Sequence, residues 1–179
     1  MSQRHAVFLD RDGTLIVDHI YLNDPDRIDF LPGVFEALRS LRDRGFVFCV
    51  ATNQSGVPRG LVDVRNLDEI HRRIRAQFAG EGVDILSFHC APYMTDNDHP
   101  LRKPNPGMLL EAARWHNLNL SRSWMVGDRM IDVEAGHRAG CRSALVGTVE
   151  SPKHARYAPP EVHAPNLLAV AQGILSRSF

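Results

Sequence analysis

Short apolar runs alternate with stretches of helical periodicity from one end of the chain to the other. Ala6-Val7-Phe8-Leu9 is continuously apolar, which predicts a strand buried on both faces rather than one with a solvated side. Between Gly33 and Arg44, Val34, Leu38 and Leu41 share a helical face, and Gly45 supplies the stop. Phe46 to Val50 is a second buried strand, and Leu67, Ile70, Ile74 and Phe78 then mark an amphipathic helix. Asp84 to Phe88 reads as a third strand. Asn105 is expected to cap the next helix, with Pro106 in its first turn and Met108, Leu109, Ala112 and Ala113 on its buried side. Trp124-Met125-Val126 is a fourth strand, a helix runs from about Ile131 to Ala139, and Ala144-Leu145-Val146 is a fifth strand. Ser151 to Pro165, with four prolines, is expected to be loop before a last helix carrying Leu167, Leu168, Val170, Ile174 and Leu175.

Strands alternating with helices imply right-handed crossovers and an α/β, doubly wound, mostly parallel sheet. No repeat or linker divides the chain, so residues 1–179 are expected to form a single domain. In such sheets ligands bind outside the carboxyl ends of the strands, at a topological switch point. The residues just after each strand therefore matter most.

Composition removes classes more than it names one. Lys+Arg and Asp+Glu both number 21, and a formal net charge of zero disfavours a broad nucleic-acid or acidic-membrane surface. The start has no signal-peptide core, and the longest apolar run, Phe46 to Ala51, is far short of a membrane span. Three cysteines without a Cys-x-x-Cys pair fit a reducing cytoplasm, with Cys49 a buried small hydrophobe.

The strand ends carry the chemistry. Asp10-Arg11-Asp12-Gly13-Thr14 follows the first strand, Thr52-Asn53-Gln54-Ser55-Gly56 the second, Arg102-Lys103-Pro104 comes after the third, and Gly127-Asp128 follows the fourth, with Asp132 four residues on. Any one of these is an ordinary turn or cap residue; four in this order are not. Asp10, Asp12 and Asp128 could not all stay ionised together without a cation, and hard carboxylate oxygens select Mg²⁺. Asp10 is then placed to attack a phosphate, forming an aspartyl-phosphate. Asp12 could protonate the leaving oxygen and later activate water, provided its side chain is held off the metal. Thr52 and Lys103 suit the equatorial oxygens of the transferring group, and Gly13 lets the chain turn closely past it.

These four segments resemble the motifs of haloacid-dehalogenase-superfamily phosphatases. Val17 to Tyr21, Asn53 to Gly60 and Arg102 to Met108 narrow the likeness to the D,D-heptose 1,7-bisphosphate 7-phosphatases, with histidinol-phosphate phosphatases similar too. The likeness spans about Ala6 to Val146. It implies a Rossmann-like fold and removal of the 7-phosphate from a heptose bisphosphate in bacterial lipopolysaccharide-precursor synthesis. By position, Asp10 would be the nucleophile and Asp12 the general acid/base. Asp10, Asp128 and the Asp12 main-chain carbonyl would hold Mg²⁺, with Asp132 behind them. Thr52 and Lys103 would bind the phosphoryl group. Asp18, His19, Ile20, Tyr21, Asn53, Gln54, Ser55 and Arg102 would contact substrate, Arg102 as the recognition residue. Arg59 reads equally as a second anion contact or a solvated surface arginine.

Two features qualify the likeness. Such chains usually carry a zinc loop, Cys-x-His followed by Cys-x-Cys, before Arg-Lys-Pro; here only Cys90 stands in place, after His89, and His99 could substitute for one other ligand. A structural zinc needs four ligands, so none is expected. Thr14 to Pro32 allows only a short flap, and Gln54 to Arg102 is largely used by a helix and a strand, so no cap domain is expected. An open site with arginines suits a small sugar bisphosphate. A monomer is the default. Histidinol-phosphate phosphatase remains the nearest alternative. A polynucleotide 3′-phosphatase is disfavoured by the charge balance. A receiver-type phospho-accepting module is disfavoured by Asp12, a second acid that speeds hydrolysis where a signal needs persistence.

Overall fold

A computed structural model describes residues 3–147 and 156–177. Six strands form one sheet: β1 (Ala6–Leu9), β2 (Val47–Asn53), β3 (Ile85–Ala91), β4 (Trp124–Gly127), β5 (Arg142–Val146) and β6 (Val162–Ala164). The order is β3-β2-β1-β4-β5-β6, and every pairing is parallel. The chain builds outward from β1 in one direction, then returns to its other side with β4. The switch point thus lies between β1 and β4, where residues after both strands face a common crevice.

Five helices cover the sheet: α1 (Val34–Arg42), α2 (Val64–Gly80), α3 (Gly107–His116), α4 (Met130–Ala139) and α5 (Leu167–Leu175). Alternation of side chains along each strand divides the core in two. Val7, Leu9, Phe48 and Val50 pack with α1, α2 and α5, through residues such as Leu38, Ile74 and Ile174. Ala6, Phe8, Cys49 and Ala51 pack with α3 and α4, through Met108, Leu109 and Ala139. Both faces being covered is why the strands read as continuous apolar runs. Among the described residues no helix is long and apolar enough to cross a membrane.

The structure departs from the sequence reading in four places. β2 continues through Thr52 and Asn53, because these still pair with Cys90 and Ala91 of β3. β3 likewise extends through His89, Cys90 and Ala91, so Cys90 lies in a strand and not a loop. Pro106 is the N-cap of α3 rather than its first-turn residue; the Asn105 side chain turns away to Asp98 and the main chain of His99. Within the expected loop Ser151 to Pro165, Val162–Ala164 forms β6, while residues 151–155 lie outside the described residues. Three residues with one strongly apolar side chain give no periodicity to read. Pairing with Ala144, Leu145 and Val146, reinforced by Glu161 accepting from the Ser143 amide at 2.7 Å, places the strand.

Candidate active site

Asp10 leaves the end of β1 with its amide donating to the Val126 carbonyl of β4 at 2.9 Å, which fixes it over the switch point. Lys103 enters from the loop before α3, and its side chain is 2% exposed. It donates to Asp10 Oδ1 at 2.7 Å and to the Ala51 carbonyl at 2.7 Å, and lies 2.6 Å from Asp132 Oδ1. Burial opposes its charge, but Asp10 and Asp132 outweigh burial and hold the ammonium above its ordinary range. Asn53 sets the backbone of this lysine: its Oδ1 accepts from the Lys103 amide and its Nδ2 donates to the Lys103 carbonyl. A buried lysine reached from 50 residues away is thereby held at both levels, main chain and side chain.

Asp128, after β4, completes an acidic cluster. One ligand atom each from Asp10, Asp128 and Asp132 lie within 4.8 Å of one another. Burial, then the charges of Asp10 and Asp132, push the Asp128 carboxyl up to about 8. Its Oδ1 is buried with no hydrogen-bond partner, an arrangement that a cation would relieve. Asp132 is committed elsewhere, with one oxygen on Lys103 and the other accepting from the Arg129 amide at 3.0 Å in the first turn of α4. Gly13 has a φ of +77°, and a Cβ there would run into the Asp128 carboxylate. Its smallness thus makes room for that side chain rather than for a turn past the phosphate alone.

Asp12 stands outside the cluster and is held by partners of its own. Arg11 donates to both of its oxygens, and Gln54 Nε2 donates to Oδ2 at 2.9 Å while also donating to Thr52 Oγ1 at 2.9 Å. Burial raises the Asp12 carboxyl above the usual range against the opposing charge of Arg11. Thr52 is fully buried beneath.

A cleft of about 220 Å³ opens above these groups. Asp10, Asp12, Lys103 and Asp132 form its floor; Asp18, Ile20, Tyr21, Asn53, Ser55 and Arg102 line its sides, joined by Gln54 and by three residues not singled out from the sequence, Thr95, Arg129 and Ile131. Thr52 and Asp128 are not among the residues that line it. Two expected contacts do not line the cleft: His19 reaches Asp29 at 2.8 Å, while Arg59 reaches Oγ1 of the lining residue Thr95 at 3.4 Å. Ile20 and Tyr21 adopt left-handed conformations, φ +49° and +64°, and the Ile20 amide donates to Asp18 Oδ1. Asp18 Oδ2 in turn accepts from Arg129 at 3.1 Å. Burial, then the like charges of Arg129 and Arg59, lower the pKa of Arg102. Two arginines, Arg102 and Arg129, line the cleft. The only sequence signal for Arg129 is its place directly after Asp128.

The three candidate zinc ligands are dispersed. His89 and Cys90, adjacent in β3, face opposite sides of the sheet. His89 packs on Trp115, while the His99 ring stacks on Tyr93 at 3.7 Å and accepts from the Leu101 amide.

Comparison with known proteins supplies the context. A family model described as HAD-hydrolase-like matches residues 100–170. The chain is 36% identical to the D-glycero-beta-D-manno-heptose-1,7-bisphosphate 7-phosphatase of Pasteurella multocida, covering 80% of this chain and 81% of that protein. It is 38% identical to the D-glycero-D-manno-heptose-1,7-bisphosphate 7-phosphatase of Thermosynechococcus vestitus, covering 81% and 80%. The D,D-heptose 1,7-bisphosphate phosphatase of B. bronchiseptica, solved with magnesium and phosphate, superposes with a TM-score of 0.85 at 32% identity, over 96% of this chain and 98% of that one.

Proposed function

This chain belongs to the haloacid-dehalogenase-like hydrolases, among the heptose-1,7-bisphosphate 7-phosphatases, and we propose that it removes the 7-phosphate of D-glycero-D-manno-heptose 1,7-bisphosphate. The observation that carries this reading is a single cleft that holds both the buried Lys103–Asp10 contact and two arginines, Arg102 and Arg129: the first suits a reacting phosphoryl group, the arginines a second anion. We read residues 1–179 as one capless domain, whose own loops choose the substrate.

Asp10 attacks phosphorus, and the bond to the sugar oxygen breaks as Asp12 delivers a proton to it. The aspartyl-phosphate then yields to water: Asp12, now ionised, takes the water proton, and the bond from phosphorus to Asp10 breaks to release phosphate. Lys103 and Thr52 hold the transferring oxygens where charge concentrates. Asp10 and Asp128, with the Asp12 carbonyl, would hold Mg²⁺; the unpartnered Asp128 Oδ1 and the hard oxygen donors fit it. When bound, the ion supplies charge neutralisation between the carboxylates and the phosphate. Asp132, with both oxygens engaged, orients Lys103 and the start of α4. Asp18, Ile20, Tyr21, Ser55, Arg102 and Arg129 face the rest of the substrate. No structural zinc is part of this reading, which the separation of His89, Cys90 and His99 supports; elemental analysis of protein purified without added metal tests it, stoichiometric zinc counting against it.

Phosphorus NMR of the reaction with heptose 1,7-bisphosphate is expected to show the 7-phosphate lost and the 1-phosphate kept. Kinetics on both anomers and on histidinol phosphate complete the test. A preference for histidinol phosphate would overturn the substrate assignment.

A further inference from the structure

Arg11 is a buried charge that the hydrolysis just described does not use. It is 1% exposed, with Nε donating to the two Asp12 oxygens at 3.1 and 3.2 Å and Nη2 donating to Oδ1 at 2.9 Å. Its remaining arm, Nη1, lies 3.1 Å from Nε2 of His71 in α2. A guanidinium offers only donors, so His71 Nε2 is the bare nitrogen and the ring proton sits on Nδ1. Burial, then the positive charges of Arg11 and Arg75, push His71 down to about 3, which keeps the ring neutral and accepting at any working pH. The ring is itself fixed. It stacks on Phe88 of β3 with centroids 4.7 Å apart and planes at 24°, and it follows Ile70, a fully buried anchor of α2.

We infer that His71 is a positioning residue for the reaction: acting through Arg11, it fixes the direction in which the Asp12 carboxyl points. The inference rests on the phosphatase reading, since it gives a purpose to the orientation of Asp12. The physical argument is one of freedom removed. Asp12 sits on a loop with its side chain 20% exposed, and a proton donor displaced by a fraction of an ångström from the leaving oxygen loses much of its effect. Gln54 holds Oδ2 from one side at 2.9 Å; on the other, a lone neighbouring arginine would bind the carboxylate yet still follow it through several rotamers. An arginine pinned at its far end by a stacked ring on a core helix gives it one.

The test compares two esters on the same preparation. An alkyl phosphate such as the heptose bisphosphate needs its leaving oxygen protonated, whereas nitrophenolate departs from p-nitrophenyl phosphate without a proton. kcat/KM reports the step in which the leaving group departs, and the ratio between esters is independent of how much of a variant is folded. His71→Ala is expected to lower the alkyl-to-aryl ratio of kcat/KM by about tenfold or more, with Asp12→Asn setting the ceiling. His71→Gln, whose side-chain carbonyl can accept from Arg11, is expected to restore the ratio to within about threefold of the wild type. A His71→Ala ratio equal to that of the wild type, whether or not both activities fall together, would overturn the inference while leaving the phosphatase reading intact. A glutamine variant as impaired as the alanine one would overturn the accepting nitrogen as the operative contact. Wild-type protein inactive on both esters would overturn the phosphatase reading, and this inference with it.

Discussion

At the floor of the cleft Lys103 is 2% exposed and held by Asp10, Asp132 and the Ala51 carbonyl; at its rim Arg129 is 62% exposed and holds one carboxylate, Asp18. The floor groups were desolvated when the chain folded. Their directions are already set, and their charges act through a medium that screens them weakly. At the rim Arg129 remains largely in water and Arg102 is only half-buried, so an ion pair there is worth less and each side chain keeps freedom to adjust. The contrast teaches a division of labour: a preorganised floor suits the chemical step, and a solvated cationic rim suits choosing among anions. The Ile20–Tyr21 turn belongs to the rim, since its left-handed backbone is held by an aspartate that also meets Arg129.

If that division holds, floor substitutions should lower kcat for every ester, while rim substitutions should raise KM only for substrates with a second anion. The largest effect is expected from Asp10→Asn, which should cut turnover by roughly four orders of magnitude or more in a chain that still folds, read by phosphate release alongside circular dichroism. Chelation of divalent metal should lower activity by at least about a hundredfold, with recovery on adding Mg²⁺; activity undiminished in chelator would separate Asp128 from any metal role. Lys103→Ala should reduce kcat by about 10²- to 10³-fold on bisphosphate and monophosphate alike, and a loss confined to KM would blur floor into rim. Arg102→Ala should raise KM for the heptose bisphosphate by about 10- to 100-fold with little change in kcat, and leave KM for a simple monophosphate nearly unchanged. Smallest of all, Arg59→Ala should shift that KM by no more than about threefold, because the residue does not line the cleft and reaches it only through a long contact to Thr95 and its charge beside Arg102.

Much of the floor is legible in the sequence. Asp10, Lys103 and Asp128 each follow or precede a recognisable element at the switch-point end of the sheet. Less legible is what individual polar side chains do there. Asn53 and Gln54 read as substrate contacts and do line the cleft, but the sequence gives no sign that the Asn53 amide also holds the Lys103 main chain or that Gln54 Nε2 bridges Asp12 and Thr52. His19 carries no sign that its ring turns to Asp29. His71 lies next to the apolar stripe of α2 and looks like an ordinary surface histidine until β3 brings Phe88 beneath it.

What the sequence by itself determined is the order of the elements and the identity of the reactive groups. A strand covered on both faces must be apolar throughout, so its end is marked by the first polar residues, and in a parallel sheet those ends face one crevice. The tertiary structure alone decided which way each of those residues points. Asn53 meets Lys103 across 50 positions, and Arg129 meets Asp18 across 111. No local pattern encodes such pairings, because side-chain direction at the end of a strand is set by partners that only the sheet order brings near.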